Sequence, residues 1–174
     1  RLTTQTYPDP EPLPEQVTVS YNSQGAGLPS RLTSNVTGNP YPVYSADYNG
    51  RGQLTNLQQG TGPTYNNLLI TNYSYDDQTT KRGWLIGTTV QANGAPNPYL
   101  NLSQTYYANG NVQTVNQTAG TYGLPTFTNT YAYDGLDRLR SATSTGGLFP
   151  QETYAYDTLG RTYTRTLGLN TYAY

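Results

Sequence analysis

The sequence predicts an all-β protein, built of consecutive antiparallel β-hairpins in one curved or spiralling sheet. Three observations lead there. Thr and Tyr together supply 48 of the 174 residues, and both suit a pleated, half-buried surface. Gly (18) and Pro (12) interrupt every run, so helical spacing of apolar residues persists nowhere. A short tyrosine motif also recurs every 23–31 residues, a period typical of repeat architectures.

Residues 1–16 form a proline-rich, extended opening segment, with Pro8, Pro10, Pro12 and Pro14 at alternate positions. Proline fixes φ and removes a backbone donor, so this stretch reads as a linker or as the cover of an edge strand. Residues 17–174 form the repeat array. Its clearest copies are Tyr131-Ala132-Tyr133-Asp134 and Tyr154-Ala155-Tyr156-Asp157. Tyr73-Ser74-Tyr75-Asp76 is looser. Asp47-Tyr48-Asn49, Val19-Ser20-Tyr21-Asn22 and Gln104-Thr105-Tyr106-Tyr107 are weaker, the last with Tyr where Asp is expected. The second tyrosine of each copy falls at 21, 48, 75, 106, 133 and 156. Tyr172-Ala173-Tyr174 opens a further copy, so the array is expected to be incomplete at its C-terminus.

Each copy continues with Asp or Asn, two variable residues, Gly, a polar residue and often an apolar one. Asp157-Thr158-Leu159-Gly160-Arg161, Asp134-Gly135-Leu136-Asp137-Arg138-Leu139 and Asn49-Gly50-Arg51-Gly52-Gln53-Leu54 follow this frame. Tyr107-Ala108-Asn109-Gly110-Asn111-Val112 and Asn22-Ser23-Gln24-Gly25 have the same shape. An Asp or Asn side chain at the start of a turn accepts a bond from a backbone N–H two residues on. Gly at the fourth position suits a type I turn whose closing residue needs φ > 0. Asp137 replaces it in one copy, and Asp tolerates that region better than most residues. The tyrosines therefore end one strand and the Arg-Leu pair opens the return strand. Residues two apart share a face, so Tyr131 and Tyr133 point the same way, as do Tyr154 and Tyr156. Stacked hairpins would align them as a ladder. From Asp77 to Gly94 an insertion with Lys81, Arg82 and Trp84 occupies the place of the regular return strand.

Composition excludes much chemistry. Cys, His and Met are absent, which removes disulfides, Cys or His metal sites, and catalysis through imidazole or thiol. Charged residues are only 11%, the net charge is −1, and Lys81 is the sole lysine. Binding to nucleic acid is not expected, because it rests on many Lys/Arg contacts to phosphates. No stretch approaches the run of about 20 apolar residues that a membrane helix needs.

The frame resembles the YD repeat of the Rhs (rearrangement hotspot) family, the related toxin-complex shell proteins and the teneurins. Tyr131-Ala132-Tyr133-Asp134 with Arg138-Leu139, and Tyr154-Ala155-Tyr156-Asp157 with Gly160-Arg161, carry the resemblance. About six repeats, from Val17 to Tyr174, are covered. The resemblance implies repeats that wind a β-sheet strip into a hollow shell, which in secreted bacterial members encloses a toxin and in animal members belongs to an adhesion receptor. The paired-Asp autoproteolytic module, the plug and the toxin of such proteins have no counterpart in these residues.

No catalytic, cofactor-binding or metal-binding residue is expected. Asp76, Asp134 and Asp157 occupy equivalent turn positions, which turn chemistry explains. Asp134 and Asp137 supply too few oxygens for calcium, which takes six to eight. Arg138 and Arg161 are expected to pair with turn aspartates, and Trp84 is the natural candidate for stacking on a sugar. Asn35, Asn72, Asn101 and Asn116 head glycosylation sequons that chance explains in so Asn- and Thr-rich a chain. The expected function is structural and non-enzymatic: a segment of a secreted or surface Rhs/YD-repeat shell or filament, expected to be bacterial. Its partners would be the rest of a longer chain or other copies joined through edge strands, with toxin cargo implied by the resemblance. The alternative is an adhesin-type module that contacts glycan or protein through aromatic faces.

Overall fold

The computed structural model describes residues 3–7, 14–22, 27–35, 42–60, 68–76, 82–118, 123–146 and 149–174. They form one 14-stranded sheet in which spatial order equals chain order. The strands are β1 (Thr4–Tyr7), β2 (Glu15–Tyr21), β3 (Pro29–Ser34), β4 (Pro42–Tyr48), β5 (Leu54–Gln59), β6 (Leu69–Asp76) and β7 (Trp84–Ala92). They continue as β8 (Leu100–Tyr106), β9 (Val112–Gln117), β10 (Phe127–Tyr133), β11 (Leu139–Ser144), β12 (Glu152–Tyr156), β13 (Thr162–Leu167) and β14 (Asn170–Ala173). Every pairing is antiparallel, and no helix occurs among the described residues. The expected fold class is thus the observed one.

Period-two alternation gives the sheet two unlike faces. Directly opposed residues share a face, so a row across β4 to β8 reads Ala46, Leu57, Thr71, Val90 and Leu100. Further along, Tyr131, Ala142, Glu152 and Leu167 continue that mainly apolar face. The opposite face carries Asn56, Asn72, Thr89 and Asn101 in one row. Thr105, Thr114, Thr130 and Thr143 make another, and Ser141, Thr153, Thr166 and Thr171 a third. Side chains bond across these rows. Asn56 donates to Asn72 Oδ1 (2.7 Å), Thr128 donates to Asn116 Oδ1 (2.9 Å), and the Thr105 and Thr114 hydroxyls lie 2.6 Å apart. Asn72, Asn101 and Asn116, three of the sequon asparagines, sit half-buried within strands.

The described residues make one layer with little core. Among the described residues only Ala46, Leu68 and Ala142 are buried apolar side chains, and none is fully enclosed. Strand ladders and cross-strand pairs therefore hold the sheet, each such pair contributing about 0.2–1 kcal/mol.

Two expectations about the chain's course are refined. Thr4–Tyr7 of the opening segment is the edge strand β1, in register with β2 from Thr4↔Thr18 to Tyr7↔Glu15. Paired structure thus begins ahead of residue 17; Pro8, Pro10 and Pro12 lie outside the described residues. The segment after Asp76 does contain a regular return strand, since Trp84 opens β7 and faces Asp76. The extra residues, Lys81 among them, fall at 77–81, outside the described residues.

Candidate functional site

The repeated residues converge on one edge of the sheet, where six hairpins turn: β2–β3, β4–β5, β6–β7, β8–β9, β10–β11 and β12–β13. In each, the pairing slips by one residue beside the second tyrosine, at Tyr21, Tyr48, Tyr75, Tyr106, Tyr133 and Tyr156. A bulge there adds twist and re-aims the side chain.

Three turns follow the expected frame in detail, and the Tyr107 turn shares their backbone bonds, Tyr107 N–H to Asn111 O (2.9 Å) and Gly110 N–H to Tyr107 O (3.0 Å). The Asp157 N–H donates to Arg161 O (2.9 Å), and Gly160 N–H returns a bond to Asp157 O (3.0 Å). Asp157 Oδ1 accepts from the backbone of Leu159 (2.9 Å) and Arg161 (2.8 Å), while its Oδ2 takes Arg161 Nε at 2.8 Å. Asp134 repeats this with Leu136 (2.9 Å), Arg138 N (3.0 Å) and Arg138 Nε (2.7 Å). Asn49 does the same for Arg51 and Gln53, both at 3.0 Å. At the fourth position Gly52, Gly110, Asp137 and Gly160 have φ of 77°, 99°, 61° and 84°. The other two turns are longer. Asn22 N–H reaches Leu28 O, and Gly83 N–H reaches Asp76 O, both 3.0 Å. The left-handed glycine of the first is therefore Gly27 (φ 61°) in place of the expected Gly25, which lies outside the described residues.

These contacts set the protonation of the turn acids. Desolvation pushes the Asp134 carboxyl up, but the Arg138 and Leu136 backbone N–H groups and the Arg138 guanidinium outweigh it and hold it below the usual range. For Asp157 the Arg161 backbone N–H is the leading cause, then its guanidinium, and the shift is again downward. Both acids are ionised and neutralised in place, which is a poor arrangement for acid–base work near neutral pH. Among the described residues no group of three acids is placed to hold a metal.

The tyrosines join hairpin to hairpin. Tyr48 donates to Pro29 O (2.9 Å), Tyr75 to Leu54 O (2.9 Å), Tyr106 to Leu85 O (2.6 Å) and Tyr156 to Leu139 O (2.7 Å). Each acceptor stands at the start of the previous hairpin's return strand. Tyr133 meets Tyr107 edge-on, with centroids 6.0 Å apart, and Tyr107 donates to Tyr131 O. The aligned row of tyrosines is thus a run of clasps between neighbours. Desolvation raises the hydroxyl pKa of Tyr75, Tyr106 and Tyr133.

A second joint is not visible in the repeat frame. A residue at the start of a return strand or just before it lies against the glycine that closes the next hairpin's turn. A Cβ at Gly52 would lie 3.5 Å from Leu28, at Gly110 3.3 Å from Trp84 and at Gly160 3.7 Å from Arg138, and one at Gly83 would lie 2.8 Å from Arg51 and 3.1 Å from Gln53. At Gly83 and Gly110 glycine answers both to backbone conformation and to a neighbour's approach, whereas at Gly52 and Gly160 the backbone alone requires it. The signal was in the sequence as an aligned column of Leu28, Gln53, Trp84, Asn111 and Arg138, hidden by unequal turn lengths. Trp84 is accordingly engaged. Its ring lies 5.0 Å from Tyr106, with the Arg82 guanidinium 4.7 Å from its centre. Arg138 likewise covers Tyr156 at 4.4 Å while bonded to Asp134 at 2.7 Å.

The sheet resembles parts of far larger molecules. The crystal structure of TcdB2-TccC3-Cdc42 matches 91% of this chain with a TM-score of 0.67 at 22% identity. That of TcdB2-TccC3-TEV matches 99% with a TM-score of 0.68, also at 22% identity. This chain spans 8% and 9% of their respective lengths. No protein-family model and no curated protein matches it. At this identity the likeness is one of fold, an Rhs/YD shell-like sheet of hairpins.

Proposed function

We propose that the chain is a non-catalytic structural segment of a secreted or cell-surface shell of the Rhs/YD-repeat kind. One observation carries this reading: the side chains that recur from hairpin to hairpin are engaged with other parts of the same sheet. Asp134 and Asp157 hold their own turns, Arg138 binds its own turn and the next tyrosine, and the tyrosines clasp adjacent hairpins. A catalytic constellation instead leaves reactive groups aimed at a common point. The single-layer architecture supports the reading too, because a strip with an apolar and a polar face suits a wall. Association with further chains is consistent with the multi-chain complexes that share the fold. Cryo-electron microscopy of the native polypeptide tests the proposal. A continuous hairpin sheet wound round a cavity is expected. A second sheet packed flat against the apolar face, giving a solid sandwich, would overturn it.

A further inference from the structure

One slot along the turn edge carries a cleft. At two of the slots between neighbouring hairpins, a residue at the start of the upstream return strand or just before it covers the second tyrosine of the downstream hairpin. Trp84 fills the slot at Tyr106, and Arg138 that at Tyr156. At Tyr133 the corresponding residue is Asn111, whose short side chain ends on Asp137 Oδ1 at 3.2 Å. A cleft of about 400 Å³ is left, lined by Tyr107, Asn109, Ala132, Tyr133, Asp134 and Asp137.

The same slot holds the exceptional turn residue. Asp137 has φ 61° where Gly52, Gly110 and Gly160 occupy the equivalent position. Side chains other than Gly are uncommon there, and such outliers gather at functional sites. The exception puts a carboxylate into the cleft. Asp137 Oδ1 receives the amides of Asn109 (2.6 Å) and Asn111 (3.2 Å), and a carboxylate has about four acceptor positions. Asp134 is neutralised by Arg138, whereas Asp137 makes no ion pair among the described residues.

We propose that this cleft receives the guanidinium group of an arginine presented by another polypeptide. The chemistry is the one the next slot performs internally, where the Arg138 guanidinium lies 4.4 Å from the Tyr156 ring centre and bonds a carboxylate at its edge. A planar cation can stack on Tyr133 and direct N–H groups to Asp137 at once, which an ammonium cannot do. The proposal goes beyond the shell reading, since it stands or falls on the slot alone.

Two variants test it without threatening the fold. Asp137→Gly installs the residue the other turns already use, and Asn111→Arg supplies the missing side chain from within. The probe is N-acetyl-arginine methylamide, titrated into the chain labelled at tyrosine and followed by ring chemical shifts. Saturable shifts at Tyr107 and Tyr133 are expected, with affinity about tenfold lower in Asp137→Gly, equivalent to about 1.4 kcal/mol, and no saturable shift in Asn111→Arg. Equal binding by the lysine analogue, unchanged affinity in Asp137→Gly, or no shift at Tyr133 would overturn the proposal. Sedimentation separates the sources: self-association abolished by Asn111→Arg assigns the arginine to a second copy, and a monomer that binds the probe assigns it to a different chain.

Discussion

Gly110→Ala probes both duties of the fourth turn position. Gly110 has φ 99°, and forcing an L side chain into left-handed space costs about 1–2 kcal/mol. Its new Cβ would also lie 3.3 Å from Trp84 Cζ2, so the indole, held between Arg82 and Tyr106, must shift. Overpacking of this kind costs about 1 kcal/mol or more. The expected loss is about 2–3 kcal/mol, or about 4–12 °C in Tm at this chain length. Gly135→Ala is the control, because no atom lies within 4 Å of its added Cβ and its φ is not positive; it should be neutral or stabilising by up to about 1 kcal/mol. Denaturant unfolding of Gly110→Ala in wild-type and Trp84→Ala backgrounds separates the two costs. In the second background only the backbone strain should remain. A loss under about 0.5 kcal/mol would refute the left-handed turn. Equal losses in both backgrounds would refute the contact between hairpins.

Further expectations concern the clasps, the turns and the far edge. Tyr156→Phe should lose about 1 kcal/mol by removing the bond to Leu139 O, while Tyr163→Phe, 48% exposed, should change little by the same denaturant assay. Because the carboxyls of Asp134 and Asp157 are held below their ordinary 3.8, they stabilise the fold above that value, and this part is lost as pH falls through the folded values. Denaturant midpoints should therefore fall below about pH 4, less steeply in Asp134→Asn/Asp157→Asn, since Asn49 shows that an amide can hold the turn; identical profiles would refute the assignment. Gly146→Ala should destabilise by about 1–3 kcal/mol, because its Cβ would stand 2.6 Å from both Thr126 O and Phe127 Cβ; an unchanged thermal melt would contradict that approach of the loops.

The hairpins were legible in the sequence because their determinants are local. Asp157, Gly160 and Arg161 lie within five residues, so the turn that bonds them is written in one short frame. The strand alternation was legible for the same reason, as side chains two apart must share a face. Pairing of Arg138 and Arg161 with turn aspartates also followed from spacing alone. What the sequence left open depends on which hairpin lies beside which, and at what stagger. Arg138 stands over Tyr156 only because the bulges at Tyr133 and Tyr156 set both strands in register. In the sequence Trp84 falls within an insertion, and only the pairing Asp76↔Trp84 reveals it as the start of a regular strand. The cleft at Tyr133 is the clearest case. Asn111, Tyr133 and Asp137 are ordinary residues one by one; the stacking of two hairpins makes a short side chain in one turn into an opening beside a carboxylate from the next. Local bonds are encoded by neighbours in the chain, whereas a slot between repeats is created by packing, which no short stretch of sequence contains.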